Sequence, residues 1–443
     1  MSVLGDRPRR RRLQQFIASV GVSLAVLGLL SCEGPTVTPP PVVPTDTPTE
    51  PAPRPTSTPT PKPTPVITTL ELWLPQELDP YSGEGGSDVL AEQLSDFSDS
   101  YPNLQVDVVV KRAHGRGGLI DFMRTARDAV PSVLPDLVIL DAADLATVAG
   151  SGLIQPLDGF LAPSAADDRF PFATTMGRVE DHTVGAVVGA DMQHVAYRPA
   201  LFDSPPLTWS QVISAPAPFL FPAGGYDGRV NDATLIQYLG AGGKLTDAEG
   251  NPTLEEDVLV DVLDFYTRCV TNTVIAPTQV LTATHVDQVW DVFKEGEGGM
   301  TVVRAGRYWL EADETMAAVP IPTKSGQPIS IARGWALAIV TDDPERQDLA
   351  MRLIDWLTAP SRNASWTQAA GYLPATRSAL RLWRVSEDQR TVLRELLEAA
   401  MPPPRPLVME TIGPPMQHAL TAVLRGYASP RDAAADAVEA LQQ

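Results

Sequence analysis

A proline-rich stretch sets the first limit on what this chain can fold into. Residues 33–66 hold 13 prolines and 9 threonines among 34 positions. Such a segment has few backbone donors and few large apolar side chains, so it supports neither a helix, a sheet nor a core. It favours extended polyproline conformations and reaches roughly 100 Å when fully stretched. We expect residues 32–66 to be a disordered tether, with the folded body beginning at residue 67.

The residues before the tether have the pattern of a secretory signal. A basic run over residues 7–12 precedes an apolar stretch of 15 residues, 16–30. That stretch is shorter than the roughly 20 residues of a membrane-spanning helix. It leads into Leu-Leu-Ser-Cys, which resembles a bacterial lipobox with Cys32 as the modified residue. We expect residues 1–31 to be a lipoprotein signal peptide that leaves the chain lipid-anchored outside the cytoplasmic membrane. The alternative is an ordinary signal peptide with an incidental cysteine.

Charge and cysteine content narrow the possible partners. The net charge is −20 at neutral pH, whereas binding to nucleic acid or to an anionic membrane surface needs basic patches. The only cysteines are Cys32 and Cys269, so lipidation of Cys32 leaves no partner for a disulfide. Cys269 lies on an apolar helical face and is predicted to be buried. We expect a monomer that binds no nucleic acid.

Strand and helix patterns alternate along the first part of the body. Residues 69–75, 104–110 and 136–141 read as strands, and the last of these is the apolar run of a buried parallel strand. Residues 87–101 and 119–129 read as helices, with Ser87 as the predicted N-cap of the first. This alternation predicts an α/β fold with a mainly parallel sheet.

The later part of the body is richer in helix. Capping signals and apolar periodicity predict helices over residues 255–270 and 361–370 and further helices that begin at residues 344, 387 and 430. Residues 299–303 and 335–340 read as strands.

Short sequence motifs occur in a fixed order along the body. They are Leu72-Trp73, the Tyr101-Pro102-Asn103 turn, and residues 135–141, 150–161, 195–209, 242–254, 293–300, 334–339 and 371–374. In this order they resemble the extracellular solute-binding proteins of family 1, the maltodextrin-binding group, over essentially all of residues 67–443. The resemblance implies a two-lobe periplasmic-binding-protein-like fold (type II) with the ligand cleft between the lobes.

The resemblance also implies how the lobes are assembled and what the protein does. We expect lobe one to comprise 67–190 plus 318–358, and lobe two 191–317 plus 359–443. The implied function is capture of a small polar solute, first of all a carbohydrate, for an ABC permease and its ATPase. No cofactor is expected. A ligand-sensing lipoprotein without a transporter and an extracellular carbohydrate-active enzyme are the alternatives.

Some positions depart from the family pattern. The stretch 180–188 lacks the family's proline, and Tyr197-Arg198 replaces its Tyr-Asn pair. Residues 412–417, where sugar-stacking members often carry an aromatic side chain, have none. These departures favour a ligand other than a maltodextrin.

Candidate ligand-binding residues follow strand ends and predicted lobe crossings, because open α/β sheets bind ligands at the carboxyl ends of their strands. Aromatic rings stack on the apolar face of a sugar, and carboxylates and amides bind its hydroxyls. The candidates are Trp73, Asp141, Asp191, Gln193, Tyr226, Arg304, Gly334, Trp335 and Tyr372. Trp335 is the strongest, since family members often present this position to the cleft. The alternatives are core packing for Trp73 and Tyr372 and helix capping for Asp141.

Catalytic and metal-binding motifs are missing from the sequence. There is no Gly-x-Ser-x-Gly elbow, and Gly240 to Lys244 lacks the spacing of a phosphate-binding loop. The five histidines lie far apart, without metal-ligand spacing. Residues 247–251 resemble a calcium loop only distantly, because the glycine is misplaced and Pro252 intrudes. The sequence therefore favours a binding protein over an enzyme and predicts no metal site.

Overall fold

A computed structural model describes residues 67–160 and 167–442 of the chain. The predicted signal peptide, the lipidation of Cys32 and the tether lie outside these residues. None of the helices in the described ranges is long and apolar enough to cross a membrane.

The described residues form thirteen strands. They are β1 (Thr68–Pro75), β2 (Leu104–Lys111), β3 (Leu137–Asp141), β4 (Arg178–Val179), β5 (His182–Thr183), β6 (Ala186–Asp191), β7 (Gln193–Tyr197), β8 (Phe219–Leu220), β9 (Met300–Arg304), β10 (Ala317–Val319), β11 (Ser330–Ile331), β12 (Arg333–Ile339) and β13 (Ala400–Met401).

The α-helices alternate with these strands at first and predominate later. They are α1 (Ser87–Ser100), α2 (Leu119–Ala129), α3 (Leu145–Gly150), α4 (Pro171–Met176), α5 (Trp209–Ile213), α6 (Asp232–Gly240), α7 (Glu256–Thr271), α8 (Pro277–Thr282), α9 (Val286–Lys294), α10 (Ala305–Glu311), α11 (Pro344–Thr358), α12 (Pro360–Ala370), α13 (Arg377–Leu382), α14 (Glu387–Glu398), α15 (Pro406–Leu424) and α16 (Pro430–Ala440). Each helix and strand predicted from the sequence is confirmed within one or two residues.

One boundary differs from the prediction. Ser87 is the first residue of α1 and not its N-cap, which is Gly86 with a left-handed φ of 77°. A Cβ at Gly86 would lie 2.7 Å from backbone and side-chain atoms of Ala370. The close approach of α12 therefore requires glycine at this position, and a capping side chain has no room.

The first sheet has five strands in the order β2-β1-β3-β12-β6. Strand β1 pairs in parallel with β2 and β3, and β12 runs antiparallel to both β3 and β6. Successive side chains alternate between the two faces. Leu70, Leu72 and Leu74 pack towards α1 and α11, while Trp73 belongs to the opposite core. Both faces are covered, as the continuous apolar strands require.

The second sheet has four strands in the order β10-β7-β9-β8 and its own core. Helices α5 to α9, α15 and α16 supply most of that core. Trp209 stacks on Phe265 with ring centroids 4.8 Å apart. Cys269 is fully buried there, which confirms its predicted place, and burial raises the pKa of its thiol to about 12. This core is separate from the two cores on the faces of the first sheet, so the two sheets define two lobes.

The packing of the C-terminal helices suggests different lobe boundaries from those expected. Helices α12, α13 and α14 contribute side chains to the cores on the first sheet, whereas Ile321 and Ile331 belong to the second core. We propose that lobe one comprises 67–191 and 332–400, and that α15 and α16 complete lobe two. Capping signals in the sequence predicted α12 and α14 but carried no information on which sheet these helices cover.

The buried His194 on β7 makes stability depend on pH. Neither of its ring nitrogens has a hydrogen-bond partner among the described residues, and burial lowers its pKa to about 4. Between about pH 6.5 and pH 4 the unfolded chain takes up a proton on this histidine that the folded chain does not, so acidification through this window destabilises the fold.

We predict that His194 makes the wild type lose on the order of 3 kcal/mol of unfolding free energy between pH 7 and pH 4. The His194→Leu variant should not show this loss. Urea unfolding of both proteins across this range measures it. The same change at the exposed His418 is the control. Identical pH profiles for wild type and His194→Leu would show that His194 is protonated without cost.

Candidate ligand-binding site

A cavity of about 210 Å³ lies where strands of the two lobes meet. Strand β12 is antiparallel to β3 and β6, so its first residues lie beside their last ones: Trp335 pairs with Asp141, and Arg333 with Asp191. We call this the Trp335 cavity. Its lining is Asp141, Asp191, Met192, Gln193, Asp232, Arg304, Ile331, Arg333, Gly334, Trp335 and Tyr372.

The structure brings seven of the nine candidate residues to this cavity. They are Asp141, Asp191, Gln193, Arg304, Gly334, Trp335 and Tyr372. They come from β3, β6, β7, β9, β12 and the loop after α12. Strand carboxyl ends, predicted lobe crossings and the family resemblance together selected residues that converge. Their role in binding a ligand stays a prediction.

Trp73 is not brought to the Trp335 cavity. Its side chain is 4% exposed, and its indole N–H donates a hydrogen bond of 2.5 Å to Glu71 Oε1. The Lys111 ammonium lies 4.1 Å from its ring centroid. Trp73 is thus a packing residue of the first lobe, which was the alternative interpretation of its place in β1, and we leave it out of the proposed site.

The carboxylate of Asp191 connects the end of β6 to lobe two. Its Oδ1 accepts hydrogen bonds from the backbone N–H groups of Met192 and Gly306 at 2.9 and 3.0 Å. Its Oδ2 lies 3.4 Å from Arg304 Nη1, and the same guanidinium donates to both Asp287 oxygens at 3.0 and 3.2 Å. Burial raises the pKa of Asp191, and the Arg304 charge opposes this shift.

A second ion pair crosses between the lobes and was missed by sequence reasoning. Arg333, the first residue of β12, donates from Nε and Nη2 to the two oxygens of Asp232, both at 2.8 Å. Asp232 is the first residue of α6, which packs in lobe two. The two residues are 101 positions apart in the sequence, and no local pattern links them.

The remaining candidates combine packing with exposure to the cavity. Tyr372 stacks on Trp366 with ring centroids 5.7 Å apart, and burial raises the pKa of its phenol. Asp141 Oδ1 accepts from the Ala143 N–H at 2.9 Å, so it caps the short helix that follows, as the alternative interpretation had it. A Cβ at Gly334 would lie 2.4 Å from the Gly189 oxygen, so Gly334 lets β12 approach β6.

Tyr226 lines a second, adjoining cavity of about 470 Å³, which we call the Tyr226 cavity. Its ring, in a residue 58% exposed, lies 4.6 Å from the ring of His285. Pro403, Pro404 and Met409 form another part of the wall. Gln193, Asp232, Arg304 and Arg333 line both cavities.

The chemistry of the Trp335 cavity suits an uncharged polar molecule. Both arginines are paired with carboxylates, so no excess cation faces the space. Gln193 Oε1 is buried without a donor in the described part of the chain, and a buried acceptor of this kind calls for one. Trp335 adds an aromatic surface. Within residues 67–160 and 167–442 no cluster of three metal-ligating side chains occurs.

Residues 96–389 match the family model of bacterial extracellular solute-binding proteins. This match covers well over half of the chain, so the chain belongs to that family, which confirms the resemblance seen in the sequence. No curated protein sequence matches the chain.

Solved structures share the fold at low sequence identity. The sugar-binding protein MalE of Xanthomonas citri aligns with a TM-score of 0.68 at 22% identity, covering 85% of this chain and 98% of that one. The cyclic alpha-maltosyl-1,6-maltose binding protein of Arthrobacter globiformis aligns with a TM-score of 0.67 at 18% identity, covering 85% of this chain and 98% of that one. Maltose-bound MalE3 of T. maritima aligns with a TM-score of 0.64 at 20% identity, covering 84% of this chain and 99% of that one. These proteins confirm the two-lobe fold.

The two carboxylates that hold Arg304 differ in burial, which gives a matched test of the site. The side chain of Asp191 is 13% exposed and that of Asp287 is 41% exposed. We predict that Asp191→Ala costs about 2–3 kcal/mol of unfolding free energy, because two backbone N–H groups lose their acceptor. Asp287→Ala should cost less than about 1 kcal/mol. Equal losses in urea unfolding would contradict this ranking.

Proposed function

We propose that this protein is the substrate-binding component of an ABC importer. It captures a small polar solute, a carbohydrate in the first place, in the Trp335 cavity and delivers it to a membrane permease. The observation that carries the proposal is the convergence of Asp191, Gln193, Arg304 and Trp335 between two separately folded lobes. A ligand that contacts both lobes favours the closed state and so reports occupancy.

Charge pairing in the cavity supports a carbohydrate over an anionic ligand. A carboxylate ligand would need an unpaired cation, whereas Arg304 and Arg333 each already hold a carboxylate. Ion-paired side chains still offer unused lone pairs and N–H groups to hydroxyls. Family membership and the sugar-binding proteins of the same fold support the same choice.

The same pairing supports a binding protein over a glycoside hydrolase. Hydrolysis of a glycosidic bond uses two carboxyl groups, one of them free to act as an acid and the other as a base or nucleophile. Asp191 and Asp232 are held by arginines, and Asp141 caps a short helix. These contacts engage the carboxylates in ion pairs and a helix cap, which supports binding over hydrolysis.

We predict that a panel of sugars contains a ligand that raises the melting temperature, since binding to the folded state stabilises it. Trp335→Ala should weaken that ligand at least about tenfold by calorimetric titration, because the aromatic contact is lost. Tyr427→Ala, an exposed aromatic residue that lines neither cavity, is the control. Full affinity in Trp335→Ala would exclude the Trp335 cavity as the binding site.

We further propose that lipid on Cys32 anchors the protein on the outer face of the cytoplasmic membrane and that the proline-rich tether lets the body reach the permease. The apolar stretch before Cys32 and the 13 prolines after it support this arrangement.

We predict that Cys32→Ala moves the protein from the membrane fraction to the soluble extracytoplasmic fraction, with the folded body unchanged. Intact-mass spectrometry of the wild type should give the mass of a chain that begins at Cys32 and carries added acyl chains. An unmodified N-terminus at another residue would contradict the anchor.

A further inference from the structure

Four residues stand between the two cavities of the cleft. Gln193, Asp232, Arg304 and Arg333 line the Trp335 cavity on one side and the Tyr226 cavity on the other. Arg333 and Asp232 are joined by two hydrogen bonds of 2.8 Å. The arginine belongs to the first lobe and the aspartate to the second, so the pair bridges the cleft.

The Arg333–Asp232 pair holds both side chains in a fixed position between the cavities. Two parallel N–H to oxygen bonds restrict both side chains to one orientation, which a single ion contact does not do. The Asp232 side chain is 13% exposed, which limits its other rotamers, while the Arg333 side chain is 53% exposed and lines both cavities. The hydrogen bond to Asp232 and its charge raise the pKa of Arg333.

We propose that the Arg333–Asp232 pair partitions the cleft and makes this site selective for a ligand of one sugar ring over longer oligosaccharides. This inference rests on the proposed function. With the pair in place the Trp335 cavity has about 210 Å³, which is below the roughly 300–1,000 Å³ of pockets for drug-sized ligands. A chain of sugars leaving Trp335 towards Tyr226 meets the guanidinium.

Helix α15 supplies no stacking surface that a longer sugar chain could use instead. In its segment 412–417, Ile412 and Met416 are fully buried in the core of lobe two. The aromatic surfaces that line the two cavities, Trp335 and Tyr372 in one and Tyr226 in the other, lie on opposite sides of the partition. A longer chain therefore gains stacking on the far side only if the pair opens.

The test is a double variant, Arg333→Ala with Asp232→Ala, which removes both charges and leaves neither carboxylate nor guanidinium unpaired. The matched control is Arg377→Ala with Glu398→Ala, another two-bond pair, at 2.9 and 2.8 Å, that lines neither cavity. Titration calorimetry gives the dissociation constants for a panel of monosaccharides and their linear di-, tri- and tetrasaccharides. Asp232→Asn, which weakens the pair but keeps the side-chain volume, is the second variant.

We expect the wild type to bind a monosaccharide and to bind the matching trisaccharide at least about a hundredfold more weakly. In the double variant the ratio of the two affinities should shift at least about tenfold towards the trisaccharide, in Asp232→Asn by less, and in the control not at all. An unchanged ratio in the folded double variant, or a wild type that binds both lengths equally, would overturn the partition and leave the proposed function standing. A wild type that binds no sugar of the panel would overturn both.

Discussion

The architecture depends on the point where β6 ends, the chain crosses to β7, and β12 begins beside them. There the carboxylates of Asp191 and Asp232 meet the guanidinium groups of Arg304 and Arg333. Ion pairs of this partly exposed kind contribute roughly 0–1 kcal/mol each to stability. Their effect is on position: they fix which polar atoms of the two lobes face each other, and so they determine the shape of the space beside Trp335.

The reversed strand β12 is what makes this convergence possible. In a wholly parallel sheet the first residues of every strand lie at the edge away from the ligand. Because β12 runs against β3 and β6, Arg333, Gly334 and Trp335 reach the same edge as the carboxyl ends of their neighbours. Gly334 has no room for a side chain against Gly189, so the strand approach and the placement of Trp335 depend on the same glycine.

Local sequence signals predicted β1 to β3, β9, β12 and every helix of eleven or more residues except α15, since apolar periodicity and capping residues act within a few positions. Strand ends, predicted lobe crossings and the family resemblance together predicted seven residues of the cavity. Trp73 lies away from this cavity, because side chains alternate along β1 and its own side chain packs in a core of lobe one. Asp232, Arg333 and the lobe assignment of α12 to α14 depend on contacts between distant parts of the chain, which a single sequence does not display.

The proposed function requires that a small polar solute is held between the lobes against Trp335. A crystal structure of residues 67–443 grown with the sugar that most raises its melting temperature tests this directly. We expect a sugar ring stacked on Trp335, with hydroxyls within hydrogen-bonding distance of Asp191, Gln193 and Arg304. A sugar bound outside the Trp335 cavity, or contacts to one lobe only, would contradict it.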